Sequence, residues 1–315
     1  MQKLLTRLTR PTVLIPLVLG AATLALLFTL SDAHKIIADV LAFQRRYLLY
    51  FLLLMGVYFA LRAVQWHYLL RSLDIRAPLR TQLFAFSLGE ITKSLPIGNY
   101  FQNYLLLESH GTDFGLSSVA TTLILVTEVM VSLAAVLLLG LGGWSGWVRR
   151  AIVVGVAVAV LVVALLYACR NVARLPDRFW RHAVMRRVLV ELHHYRTGAR
   201  ALRRPRVLLM ESFLSAAYLS TAALGLYAIM RGFGIGGISL WQAVAVYFFS
   251  LAVGLIVPIP VDFGLIEVSG AGGLVAFGTD ASAAVAVMLV NRVLSAMCST
   301  AIGLLVAFVL HREAL

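Results

Sequence analysis

The sequence predicts an all-α polytopic membrane protein, about six full transmembrane helices with two opposed re-entrant helical hairpins. Three observations predict it. The 315 residues are 61% hydrophobic and only 13% charged, with a mean hydropathy of +0.91. Apolar runs near 20 residues recur from end to end, each long enough for a bilayer core of roughly 30 Å. The few mid-span charges gather in two hydrophobic regions that proline and glycine interrupt.

Full spans are expected at about 11–31, 47–70, 116–140, 150–169, 207–230 and 281–310. They leave no stretch for a separate soluble core, so residues 1–315 read as a single membrane domain. Lys3, Arg7 and Arg10 before the first run resemble a signal peptide, with Ser31-Asp32-Ala33 as a weak cleavage site. That run is longer than an h-region of about 7–15 residues and contains Pro16, so an uncleaved first span is the expectation.

The region at about 81–109 carries Glu90, Lys93, Pro96, Gly98, Asn99, Gln102 and Asn103. The region at about 239–278 carries Pro258, Pro260, Asp262, Gly264 and Glu267. Proline removes a backbone donor and clashes with the preceding turn. Interrupted backbone survives at membrane depth only where protein or a wet cavity satisfies it. Each region therefore reads as two short helices folded into a hairpin.

The arginines test this topology. With two hairpins and a cytoplasmic N-terminus, Lys3, Arg7, Arg10, Arg71, Arg76, Arg80, Arg312 and the eleven arginines from Arg170 to Arg206 lie inside. Lys35, Arg45, Arg46, Arg149, Arg150 and Arg231 lie outside. Making the first region a full span reverses the majority, against the positive-inside rule. Both termini are thus expected in the cytoplasm, and the hairpins enter from opposite faces, a device of inverted-repeat transporters. The symmetry rests on topology; the halves share no convincing residue repeat.

The net charge of +13 lies beside apolar spans, which points to lipid headgroups rather than nucleic acid. The basic loop at about 170–206 reads as a solvated topology signal or an amphipathic element on anionic lipid, with Phe179 and Trp180 as anchors. His193 and His194 are adjacent and do not share a helix face, and no metal or cofactor is expected. Cys169 and Cys298 read as buried free thiols.

Ionisable groups at bilayer depth are functional candidates whose partners need naming. Glu90 and Lys93 are three apart and share a helix face. Asn99 with Asn103, and Tyr100 with Tyr104, form two polar ridges expected to line a cavity, the alternative being interhelical hydrogen bonding. In the second hairpin the start of a half-helix offers free N–H groups to an anion such as a lipid phosphate. Arg292 is expected to pair with Glu267 or Asp262, and Glu128 is a candidate coupling residue. Arg62 and His67 are expected to snorkel toward the cytoplasm.

These features resemble the lysylphosphatidylglycerol synthase transmembrane-region family, also called the flippase-like domain family. The resemblance spans nearly the whole chain. It rests on Arg62-Ala-Val-Gln-Trp66 with Leu69-Leu70, on Leu95-Pro96, and above all on Pro260 to Glu267 followed by Asn291-Arg292. The chain is similar to a divergent member. Asn99-Tyr100-Phe101 stands in place of the family's Gly-Glu, Tyr104 stands near a usual basic position, Glu128-Val129 keeps only the acid of a pair, and Asp262 replaces a motif glycine. With no soluble aminoacyl-transferase domain evident, the resemblance implies lipid handling rather than lysyl-lipid synthesis.

The expected function is a lipid flippase-like transporter of the plasma (inner) membrane, not an enzyme. Its partners would be membrane lipids with an anionic or phosphate-bearing headgroup. Glu90, Lys93, Glu267 and Arg292 would supply counter-charge, and Asn99, Tyr100, Asn103 and Tyr104 would orient the headgroup, with Asp262 and Gly264 beside them. No phosphate-binding Gly-x-x-x-x-Gly-Lys-Ser/Thr loop is present, so uphill movement would need an ion gradient. The alternatives are a non-transporting accessory subunit that recruits a lipid or polysaccharide synthase through the arginine-rich loop, and an intramembrane lipid-modifying enzyme. A second copy of the chain or a partner synthase is the further partner expected.

Overall fold

A computed structural model describes residues 43–93, 98–140, 195, 197–256 and 264–312. The expected spans at 11–31 and 150–169, most of the basic loop, and Pro96, Pro258, Pro260 and Asp262 lie outside the described residues. Within them the chain is helical, in the order α1 (Arg45–Ser72), α2 (Leu79–Thr92), a 3-10 turn (Gly98–Tyr100), α3 (Phe101–His110), α4 (Phe114–Gly140), α5 (Pro205–Gly232), α6 (Leu240–Ile256), α7 (Leu265–Ala276) and α8 (Ala281–Arg312).

Helices α1, α4, α5 and α8 are long and apolar enough to cross a membrane, and they coincide with four of the expected spans. Large apolar side chains stand exposed along them, among them Leu49, Leu53, Leu209, Met297 and Leu305. Such a surface suits lipid rather than water. At about 1.5 Å per residue, the short helices α2, α3, α6 and α7 cover about 15–26 Å and stop short of a full crossing.

The short helices fold back in pairs. In the first pair α2 meets α3 where Gly89 faces Gln102, and a Cβ on Gly89 would lie 2.8 Å from the Gln102 Cβ. At the tip a Cβ on Gly98 would lie 1.7 Å from the carbonyl oxygen of Thr92. Only glycine closes that turn. In the second pair Gly254 faces Ile266 and Gly273 faces Val246, so α6 and α7 also run antiparallel.

The hairpins enter from opposite faces. Helix α1 lies antiparallel to α5: the Gln44 N–H donates to the Gly232 carbonyl at 2.9 Å, Phe51 packs on Gly225, and Gln65 reaches Glu211. The first hairpin therefore starts and ends on the face where α1 ends. The second does so on the face where α1 begins. Each half reads span, hairpin, span, and the second half is inverted.

The turns carry this repeat to residue level. Helix α1 ends through Arg71, then Asp74 at φ 59; α5 ends through Arg231, then Gly234 at φ 74. Ile75 N–H bonds the Leu70 carbonyl, and Ile235 N–H bonds that of Met230. Each hairpin passes to the next span through Gly-Thr-Asp, at Gly111 (φ 66) to Asp113 and Gly278 (φ 92) to Asp280. These helix ends need a left-handed residue, which glycine supplies without a Cβ clash. The spacing that relates Asp74 to Gly234 also relates Tyr58 to Tyr218, whose rings meet edge to face at 5.4 Å between the halves.

Gly98→Ala is expected to destabilise the fold by at least about 1–3 kcal/mol, seen as a lower unfolding midpoint in detergent. Gly272→Ala, whose Cβ would meet nothing within 4 Å, is expected to leave the midpoint unchanged.

Candidate functional site between the hairpin tips

Arg62 stands inside the bundle on α1, only 13% exposed. Its Nε lies 3.2 Å from Glu90 Oε1 of the first hairpin, and its Nη1 lies 3.4 Å from Glu128 Oε1 of α4. Nη1 also donates to the Tyr58 hydroxyl at 2.9 Å. The guanidinium sits over both Tyr58 and Tyr218, 5.7 and 5.2 Å from the ring centroids. Neither carboxylate is held as a two-pronged fork, and the Nε–H lacks hydrogen-bond geometry to Glu90. The Coulombic attraction nevertheless acts in a low-dielectric interior, where a buried charge needs a partner.

This corrects the snorkelling expected of Arg62. Two carboxylates at its own depth hold it, and withdrawal to the surface would strand both. His67 also turns to protein: its Nδ1 lies 2.8 Å from Gln82 Oε1 on α2.

The other candidates take distinct places. Lys93 Nζ pairs with Glu90 Oε2 at 2.7 Å, as their spacing requires, and sits 5.2 Å from the Tyr58 ring centroid. Glu128 accepts the hydroxyl hydrogen of Tyr218. Arg292 Nε lies 3.5 Å from Glu267 Oε1, a long pair that joins the second hairpin to α8. Glu267 Oε2 accepts the Gly264 N–H at 2.7 Å. Gly264 adopts φ 98, a backbone state that favours glycine. The amide at the start of α7 is thus capped by the chain's own carboxylate rather than left for a lipid phosphate.

The two polar ridges divide. Asn99 lines the cavity described below. Tyr100 meets Thr122 at 3.0 Å, and Asn103 donates to Thr121 at 2.9 Å. Gln102 also reaches Thr121. Tyr104 is 49% exposed and stacks on Phe101. Tyr100 and Asn103 therefore tie the first hairpin to α4, because that helix presents threonines at their depth. Asp262 lies outside the described residues.

A cavity of about 200 Å³ opens between the hairpin tips. Lys93 and Asn99 line it from the first hairpin, Tyr247, Ser250 and Glu267 from the second. Arg62, Glu128, Asn291 and Arg292 line it from the spans. Its volume is below the roughly 300 Å³ of ordinary ligand sites, enough for a small polar group but not for acyl chains. No cluster of three or more metal-ligating side chains occurs among the described residues.

The protein family described as lysylphosphatidylglycerol synthase TM region matches residues 13–303. The chain belongs to that family. No curated protein and no solved structure matches it. The match ties this integral membrane protein to a family named for membrane lipid, and it takes in both hairpins and the cavity.

Arg62, Tyr58, Tyr218 and Tyr247 were not among the site residues expected from sequence. A signal existed for Arg62: Glu128, near the middle of its span, needs a cation at equal depth. Removing that cation gives a direct test. Arg62→Met is expected to cost about 3–5 kcal/mol by leaving Glu90 and Glu128 under-compensated. Adding Glu128→Gln is expected to restore part of it. Reversible denaturant titration in mixed micelles measures both, and a single variant within about 0.5 kcal/mol of the parent would contradict the arrangement.

Proposed function

We propose that the protein moves an amphiphilic phospho- or glycolipid between leaflets, acting as a flippase-like transporter rather than an enzyme. The observation that carries this reading is the cavity's charge orientation. Lys93 and Arg292 have side chains 26% and 27% exposed, whereas their partners Glu90 and Glu267 are only 3% and 2% exposed. Glu90 sits behind Lys93, and Glu267, which reaches the cavity wall, is far less exposed than Arg292 beside it. The cations are thus the more accessible charges, which favours an anionic or phosphate-bearing headgroup. Asn99, Ser250 and Asn291 line the same space and supply hydrogen bonds. A cavity this small takes the headgroup and leaves the tails in the bilayer.

The opposed hairpins support alternating exposure of such a site to the two leaflets. The basic segments support placement in the plasma (inner) membrane with both termini in the cytoplasm. Membrane lipids are the proposed partners.

Liposome reconstitution with headgroup-labelled phospholipids tests the reading. The protein is expected to accelerate leaflet exchange, and Lys93→Ala and Arg292→Gln to lower that rate at least about tenfold, which is about 1.4 kcal/mol of barrier. Val293→Ala, on the exposed side of α8, is expected to retain it. Absence of any protein-dependent exchange would overturn transport. Chemical change of the lipid would favour an enzyme, and a co-purifying synthase without exchange would favour an accessory subunit.

A further inference from the structure

A second polar cluster lies outside the cavity, toward the face where α1 ends. Glu211, fully buried on α5, accepts the Gln65 side-chain N–H at 2.7 Å on Oε1. The Ser215 hydroxyl points to the same oxygen at 3.4 Å, and Gln65 also donates to Ser215 at 2.8 Å. Oε2 of Glu211 and Oε1 of Gln65 are buried without a hydrogen-bond partner.

The contrast with the other mid-span acids is chemical. Glu90, Glu128 and Glu267 each have an Arg or Lys within ion-pair distance, whereas Glu211 forms no ion pair among the described residues. Its partners are the Gln65 amide and the Ser215 hydroxyl. Among the described residues, the charges that act on it are Arg62 of α1 and Glu128 of α4, opposite in sign. An ionised carboxylate in apolar surroundings is costly, and a neutral acid removes that cost. One oxygen already receives both donors and the other receives none, so the bare Oε2 is where a proton belongs.

We propose that Glu211 is a proton-binding site, a neutral acid at rest, whose proton loss couples to rearrangement of the Arg62 network. The coupling rests on the transport reading; the proton site does not. In the step, the Oε2–H bond of Glu211 breaks and the proton passes to water admitted from the nearer face, leaving a carboxylate. Glu211 lies six residues into α5, about 9 Å along the axis from its start. The new anion competes with Glu128 for Arg62, which stands one turn from Gln65 on α1. Arg62 lies 3.2 and 3.4 Å from its two carboxylates without a two-pronged pairing to either, and is therefore the movable member. Its shift away from Glu128 would alter the wall of the cavity.

Infrared spectroscopy of the full chain in lipid nanodiscs tests the proton site. The parent is expected to show a protonated-carboxyl C=O stretch at neutral pH that Glu211→Gln removes. Ser215→Ala should retain the band but move it to higher frequency, because Oε1 loses a donor. A band undiminished in Glu211→Gln, or no band in the parent, would overturn the proposal. Leaflet exchange in liposomes between about pH 6 and about pH 9 tests coupling. The parent rate is expected to change severalfold and Glu211→Gln to be flat. An equal slope in both would overturn the coupling and leave transport standing, whereas no exchange in either would overturn transport and the coupling with it. The infrared band decides the proton site in every case.

Discussion

The described structure depends on one buried cation. Arg62 joins three elements: α1, which carries it, the first hairpin through Glu90, and α4 through Glu128. In lipid, apolar packing alone gives little preference among helix arrangements, since the surrounding tails are as apolar as leucine. Charges at depth discriminate, because any arrangement that separates them leaves an uncompensated ion. Arg62 thus fixes which helices meet, and Tyr58 and Tyr218 complete the seat beneath it. Arg292 and Glu267 give the second hairpin a weaker counterpart.

The two halves repeat the same span, hairpin, span order in opposite orientation, but their chemistry is unequal. The position matching Arg62 in the second half is Ala222, which lines the cavity. The matched tyrosines diverge as well: Tyr58 bonds the cations Arg62 and Lys93, and Tyr218 bonds the anion Glu128. A symmetric scaffold with asymmetric charges places the polar cavity at the junction of the halves. Two inverted hairpins allow two related states, and the unequal charges give a ligand or proton something to bias.

Much of this is legible in the sequence. Proline and glycine within apolar regions marked both hairpins, because a break at depth has few structural solutions. Spacing gave the Glu90–Lys93 pair, and scarcity of charge narrowed the partner of Arg292 to Glu267 or Asp262. Spacing reveals a shared face but not the neighbour it meets. Asn103 and Tyr100 therefore read as cavity residues until Thr121 and Thr122 on α4 were seen opposite them. Arg62 read as a snorkelling residue because sequence shows depth only roughly and shows nothing of partners in other helices. The internal repeat stayed hidden for a related reason. Its turns share backbone conformation, with Asp74 in one half doing what Gly234 does in the other, and few side chains coincide.

The central claim is that a lipid headgroup enters between the hairpin tips while its tails remain outside. Photo-crosslinking in native-like bilayers, read by peptide mass spectrometry, tests it most directly. A phospholipid with the reactive group on its headgroup should label Asn99, Asn291, Arg292 and Ser295, which line the cavity. The same lipid with the group on an acyl chain should label exposed side chains such as Leu53 and Leu209. Headgroup labelling confined to the helix ends, with the cavity residues unmarked, would contradict the account.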